Sequence, residues 1–316
     1  MATTPSSGSS GLLRIRAVRH VLLTTAVALA VCAVVAVLSW RSGTQARAEL
    51  DPLTGRAVGE VVAVDRNIVR VRWTPPGGEQ REVEVPLAVS PPPVGTRAEV
   101  AYDPARPEHA IVPGAELIAQ VDRAASGVVF PALVAVVLLG TVGWQLVSRA
   151  RAARRPVRTA VVRRVRVQSG LLARSWLELE KTPQRWIPVH FDPVLVTLPA
   201  PTRVRLHGDP LHDRLVAVEA DGVLLYPSGP VRASEPRGRR TDFPSRPDDE
   251  APARAQAAGA LTRQLRTDVA FVVPAPLVGL FWAYLDGGGF PVWIAATAMA
   301  AALGLWWPAV RGSDPT

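Results

Sequence analysis

Four stretches of the chain run without a charged residue for long enough to set its architecture. Residues 21–38 end at Trp40, and 128–147 carry Trp144 near one end. Residues 269–285 are shorter and contain Pro274 and Pro276, while 290–310 carry Trp293 at one end and Trp306 and Trp307 at the other. A hydrocarbon core about 30 Å thick takes roughly 20 apolar residues at about 1.5 Å each. Tryptophans at the ends of such runs suit the membrane–water interface. Buried core helices are the competing reading, and uninterrupted uncharged runs of this length disfavour it. The pattern predicts transmembrane helices at 21–40, 127–147, 269–285 and 290–310, with the third kinked or tilted by its prolines. Asp286-Gly287-Gly288-Gly289 makes the last two a hairpin.

Between these runs the period changes to two. Val69, Val71 and Trp73 alternate with Arg70 and Arg72, Pro75-Pro76-Gly77-Gly78 turns the chain, and Val83 and Val85 alternate with Glu82 and Glu84. Ala98, Val100 and Tyr102 continue around Glu99. This is the alternation of half-buried strands. Residues 158–227 repeat it: Leu177 and Leu179 alternate with Glu178 and Glu180, Trp186-Ile187-Pro188-Val189 resumes after a turn, and Arg203 and Arg205 alternate with Val204 and Leu206. Asp221-Gly222 separates two further apolar stretches. The expected fold class is therefore an α+β membrane protein, with four transmembrane helices and two small antiparallel β modules, each a barrel or sandwich. The modules occupy 41–126 and 148–229.

The modules also align with each other. Residues 96–104 (TRAEVAYDP) lie over 202–210 (TRVRLHGDP), and Val85-Pro86 falls opposite Ile187-Pro188. Duplication of one design is one reading, and chance similarity between alternating strands is the other. Residues 230–268 are rich in Pro, Arg and Asp and are expected to form a flexible linker, ending in an Ala-rich helix before the third run.

Charge gives the helices a direction. Arg14, Arg16 and Arg19 precede the first run, and 148–166 hold eight arginines with no acid: Arg149, Arg151, Arg154, Arg155, Arg158, Arg163, Arg164 and Arg166. Arg254, Arg263, Arg266 and Arg311 fall on the same side, whereas Arg41, Arg47, Arg56 and Arg123 flank the other. The positive-inside bias then places both termini (1–20 and 311–316) and the second module in the cytoplasm, and the first module outside. The expected location is a bacterial inner membrane, crossed several times. The net charge of +9 invites a nucleic-acid reading. Its position argues otherwise, because residues 41–126 sum to −2 and 148–268 to +9. We therefore expect no nucleic-acid partner, and anionic lipid against the Arg-rich face. The first run exceeds the roughly 7–15 residues of a signal peptide core, so it reads as an uncleaved anchor.

Residues 20–147 resemble an uncharacterised family of bacterial membrane proteins, common in actinobacteria, that carry a small β domain between membrane helices. The positions that carry the resemblance are Tyr102-Asp103-Pro104, Pro107 and Ala110-Ile111-Val112. The family brings no activity, cofactor or catalytic residue. Physically, Asp-Pro after a strand starts a turn: the carboxylate caps nearby amides and proline fixes φ.

Candidate chemistry is sparse. His190 with Asp192, His207 with Asp209, and His212 with Asp213 offer metal-ligand types, but no spacing matches a known metal motif, and solvated turn histidines are the commoner explanation. No phosphate loop, nucleophile elbow or Cys-x-x-Cys pair occurs, and Cys32, the only cysteine, lies in an apolar run. The four runs hold no ionisable group for coupled transport. Ala296, Ala300 and Gly304 form a small-x-x-x-small face that suits either homo-oligomer contact or packing on the third run. The expectation is thus a non-enzymatic protein with no catalytic, cofactor or metal residue. Its β modules would bind or scaffold a protein partner in envelope maintenance or assembly. The alternative is an accessory subunit of a transporter or membrane enzyme whose site forms only with a partner chain.

Overall fold

A computed structural model describes residues 16–244, 246 and 248–316; most of the N-terminal tail expected at 1–20 lies outside them. The described residues form seven helices and two curled antiparallel sheets, an α+β architecture. The chain divides into two compact units, Cys32–Val134 with Trp282–Val292, and Met1–Val31 with Ala135–Phe281 and Trp293–Thr316.

The first sheet follows helix α1 (Arg16–Leu50). It comprises β1 (Gly55–Asp65), β2 (Ile68–Trp73), β3 (Arg81–Pro86), β4 (Arg97–Asp103) and β5 (Arg106–Ile111), in the order β3-β2-β1-β4-β5. The period-2 alternation is obeyed: along β2 every second residue is buried, and Val69, Val71, Val85 and Val100 meet in one core with Trp73 and Tyr102. The Trp73 and Tyr102 rings lie 4.6 Å apart, and the Tyr102 ring occupies the space a side chain at Gly55 would need. The sheet curls until β3 approaches β5, where Arg81 reaches Glu108 at 4.0 Å.

Helix α2 (Glu116–Ala153) leads to the second sheet: β6 (Val157–Ser169), β7 (Leu172–Leu179), β8 (Trp186–Val189), the short helix α3 (Val194–Thr197), β9 (Thr202–His207), β10 (Ala217–Ala220) and β11 (Val223–Leu225). Its order is β8-β7-β6-β9-β10-β11, with β12 (Arg239–Asp242) added on β6. The chain just after β11 bridges back to the end of β8, Val189 to Pro227. Leu177, Ile187, Leu206, Val218 and Leu225 fill its core.

The two sheets share strand order and pairing rows. Arg97 of β4 faces Glu60, and its counterpart Arg203 of β9 faces Val161. Pro86 faces Ile68, which faces Asp65; Pro188 faces Trp176, which faces Val165. Both alignments visible in the sequence therefore fall on equivalent rows. The modules diverge at the next row. The first hairpin turns at Arg66-Asn67, while the second continues through 166–169 and 172–175 before turning at Gly170-Leu171.

Two sequence expectations change. Only α1 (from Val18), α2 and the last helix, α7 (Gly289–Arg311), are by themselves long and apolar enough to cross a membrane, three rather than four. The third run is broken at its prolines. Helices α4 (Ala251–Ala258) and α5 (Leu261–Asp268) lead to a 3-10 turn (Val269–Phe271) and then α6 (Ala275–Asp286), and the pair is bent by 43°. The 12 residues of α6 reach only about 18 Å, so a fourth crossing exists only if the bent pair counts as one span. Second, the stretch expected to be a flexible linker contains β12, held by ladder pairing to β6 and by Arg240 on Glu178 at 2.9 Å. The tail 311–316, to which no sequence pattern assigns a structure, is packed on β7, where Ser313 bridges Arg174 and the Asp314 amide donates to the Ala173 carbonyl at 2.9 Å. On the small-residue face of α7, Gly304 sits against the Phe271 carbonyl, where an added Cβ would lie 2.6 Å from that oxygen.

Candidate functional site

The greatest concentration of buried charge lies beside the second sheet, and much of it is built by the tail. Arg164 on β6 and Asp314 are both almost fully buried and pair at 3.2 Å. Every oxygen of that carboxylate is used. Ser175 donates to Oδ2 at 2.5 Å, and Thr316 donates to Oδ1 through its hydroxyl at 2.6 Å and its amide at 3.0 Å. Arg164 also donates to the Leu195 carbonyl at 2.9 Å and stacks 3.8 Å from the Phe243 ring centroid. Burial pulls its pKa down and Asp314 opposes the shift. The full set of donors on Asp314 offsets much of the desolvation that such pairs suffer, while Arg164 Nε is buried without a partner.

Helix α5 extends the layer. Gln264 donates to the Ser313 carbonyl at 3.1 Å and accepts from Arg16 at 3.1 Å, while Arg16 also donates to the Ala258 carbonyl at 2.8 Å. Next to them, His20 Nε2 lies 3.4 Å from Asp268 Oδ2, both nearly inaccessible. Farther along, Arg149 donates to the Pro227 and Val310 carbonyls at 3.1 and 3.5 Å. His190 bonds the Tyr226 carbonyl through its amide, and its Nε2 has no partner. Burial, reinforced by Arg149, Arg174 and His20, holds the His190 ring well below the usual imidazole range, so it is neutral.

The histidines and carboxylates that lie close together in the sequence do not converge. Asp192 caps the Val194 amide at 3.0 Å instead of meeting His190. His207 turns to Glu219 at 3.3 Å. His212 meets Asp209 at 3.0 Å rather than Asp213, which pairs with Arg155 at 3.0 Å. Among the described residues no group of three or more His, Cys, Asp or Glu is arranged to hold a metal ion. The two Asp-Pro turns do share a device: Asp103 accepts from the Ala105 amide at 2.9 Å and Asp209 from the Leu211 amide at 3.0 Å. Where the first turn has Tyr102, the second has Gly208 at φ +107°, and a side chain there would press on Asp213 and Arg155.

The arginines of 148–166 are also placed. Arg155, Arg158, Arg163 and Arg164 sit in ion pairs with Asp213, Asp209, Glu180 and Asp314. Two open clefts complete the picture. One of about 380 Å³ in the first unit is lined by Leu50, Leu53, Arg56, Glu99, Ile111 and Ile118. One of about 460 Å³ in the second mixes Arg163, Lys181 and Arg240 with Glu178 and Glu180.

Sequence reasoning missed His20, Asp268, Gln264 and Asp314. The only signal was position, each polar group standing at the margin of an apolar run. Their partners lie far away in sequence and leave no local pattern.

No family model, no curated protein and no solved structure matches the chain.

Proposed function

We propose that the chain is a multi-pass protein of a bacterial inner membrane that carries one small β barrel on each face and acts by binding or scaffolding a protein partner, without catalysing a reaction. The observation that carries the reading is the uncovered apolar surface of its long helices. In the most apolar stretches of α1, α2 and α7 only 28, 17 and 17% of residues are buried. Outward apolar surface on that scale needs lipid or protein to cover it. The arginine bias places the first barrel outside and the second, with both termini, in the cytoplasm. The strand-for-strand correspondence of the two sheets supports duplication of one design, and the Tyr102-Asp103-Pro104 corner supports kinship with the β-domain membrane family it resembles. The buried layer supports a structural role: the Asp314 carboxylate is saturated by fixed donors, Asp268 lies 3.4 Å from His20 without a hydrogen bond between them, and no nucleophile stands beside a base.

Alkaline carbonate extraction of cell membranes tests the reading. Retention of the chain in the membrane pellet is expected, and release into the supernatant contradicts it. A photo-crosslinking residue introduced at the exposed Val94 tests the binding role, with a discrete cross-linked product expected. Crosslinks to lipid alone at every exposed position of both barrels contradict it.

A second reading rests on one pair. His20 and Asp268 are ionisable, buried and carried by helices that lead into apolar runs, which is where proton-handling subunits keep such groups. In that case His20→Gln abolishes activity of the partner complex while leaving assembly intact.

A further inference from the structure

Among the described residues of the second unit, seven arginines make ion pairs with acids; among those that do not, Arg174 stands close enough to Arg232 and Arg311 to feel both charges. Arg174 on β7 donates from Nη2 to the Ser228 carbonyl at 3.0 Å and hydroxyl at 2.9 Å, and its Nε is buried with no partner. Its guanidinium stands 5.0 Å from the Trp176 ring centroid, and Arg232 stands over the same ring at 5.4 Å. Arg311, in the last turn of α7, lies 4.4 Å over the ring of Trp307. The bridge between Ser313 and Arg174 brings the end of α7 alongside β7. None of the three arginines makes an ion pair among the described residues, and Asp314, the acid of the adjoining tail, is taken by Arg164.

Three guanidiniums held together without a counter-charge repel one another, and the repulsion is relieved by an anion. The planar fork of arginine fits the oxygens of a phosphate. Trp307, partly exposed on the last turn of an apolar helix, has the position of a side chain at the interface between acyl chains and water. We propose that Arg174, Arg232 and Arg311, with the Ser228 hydroxyl, form a binding site for the phosphate of an anionic lipid headgroup. The site rests on the membrane reading above and sharpens it. Lipid contact moves from the 148–166 arginines, several of which the fold has paired, to a specific group at the end of α7.

The test uses the full chain purified in mild detergent, titrated with phosphatidylglycerol, with phosphatidylcholine and with inorganic phosphate, and read by native mass spectrometry. Saturable binding of phosphatidylglycerol is expected, with phosphatidylcholine much weaker. The triple variant Arg174→Gln, Arg232→Gln, Arg311→Gln is expected to bind about a hundredfold more weakly, since each basic group near the headgroups contributes roughly 1 kcal/mol. Arg174 also braces Ser228, so the double variant Arg232→Gln, Arg311→Gln guards against misfolding and should lose about thirtyfold. Arg97→Gln, an exposed arginine of the first sheet, should leave binding unchanged. Undiminished binding by the well-folded double and triple variants overturns the site. Binding of inorganic phosphate with no preference for the lipid overturns the headgroup assignment. Carbonate extraction judges the membrane reading separately, because it does not depend on these arginines.

Discussion

The two sheets follow one strand order and one set of pairing rows, yet they bury different amounts of themselves. In the first, β2 alternates strictly, and its outward face carries Arg70–Glu84 and Arg72–Glu82 pairs open to solvent. In the second, β8 is buried along its whole length, and β7 has no exposed residue. The difference starts at one hairpin. By continuing through 166–169 and 172–175, the second module gains two strand flanks that the first lacks. One flank receives β12, and the other receives Ser313 and Asp314. A small extension thus turns a self-contained sheet into the receptor for two later parts of its own chain. The lesson is that two sheets of one strand order can differ less in their cores than in the length of an edge.

If that contrast is right, the largest effect comes from unlatching the tail. Asp314→Ala leaves Arg164 buried and unpaired, which should destabilise the second module by about 3–5 kcal/mol. Hydrogen exchange should then accelerate in peptides covering β6 and β7 and leave those covering β1 and β2 unchanged. Combining Arg164→Met with Asp314→Leu should recover most of the loss, since a well-packed apolar pair can replace a buried ionic one. Equal protection in the single variant would mean that the tail is ornamental.

A smaller effect depends on pH. His190 is neutral in the folded second module because burial depresses its pKa, whereas in the unfolded chain it titrates near 6.5. Below about pH 6.5 the unfolded state therefore takes up the proton and the folded state does not. Stability present above that pH is lost on acidification, by up to about 1.4 kcal/mol per pH unit. Exchange rates of β8 peptides measured from pH 7.5 to 5.5, corrected for intrinsic rates, should show the loss, and His190→Gln should flatten it.

The smallest effect belongs to the first sheet. Arg72→Ala removes an exposed cross-strand pair and should change stability by less than about 1 kcal/mol. A loss as large as that of Asp314→Ala would erase the distinction between the modules.

Much of the β architecture was legible because alternation is local: Val69, Val71 and Trp73 announce a strand without reference to the rest of the chain. The equivalence of Pro86 and Pro188 was legible for the same reason. The tail was not, because nothing in Gly312-Ser313-Asp314 says that a buried arginine waits on β6. The arginines misled in the same way. A run such as Arg163-Arg164 looks unpaired until folding sets Glu180 and Asp314 opposite. The third membrane run failed for a different reason: hydropathy sums over residues, while Pro274 and Pro276 act on the backbone, and only the second decides whether one helix spans.

The central claim is that the two modules occupy opposite faces of a membrane, and cysteine labelling addresses it most directly. Cys32 is buried and is the only cysteine, so Cys32→Ala gives a clean background for Val94→Cys in the first module and Leu171→Cys in the second, both at exposed positions. With a membrane-impermeant maleimide, the account predicts that Val94→Cys labels in intact spheroplasts and Leu171→Cys only after lysis. Labelling of both in intact spheroplasts, or the reverse order, would contradict it.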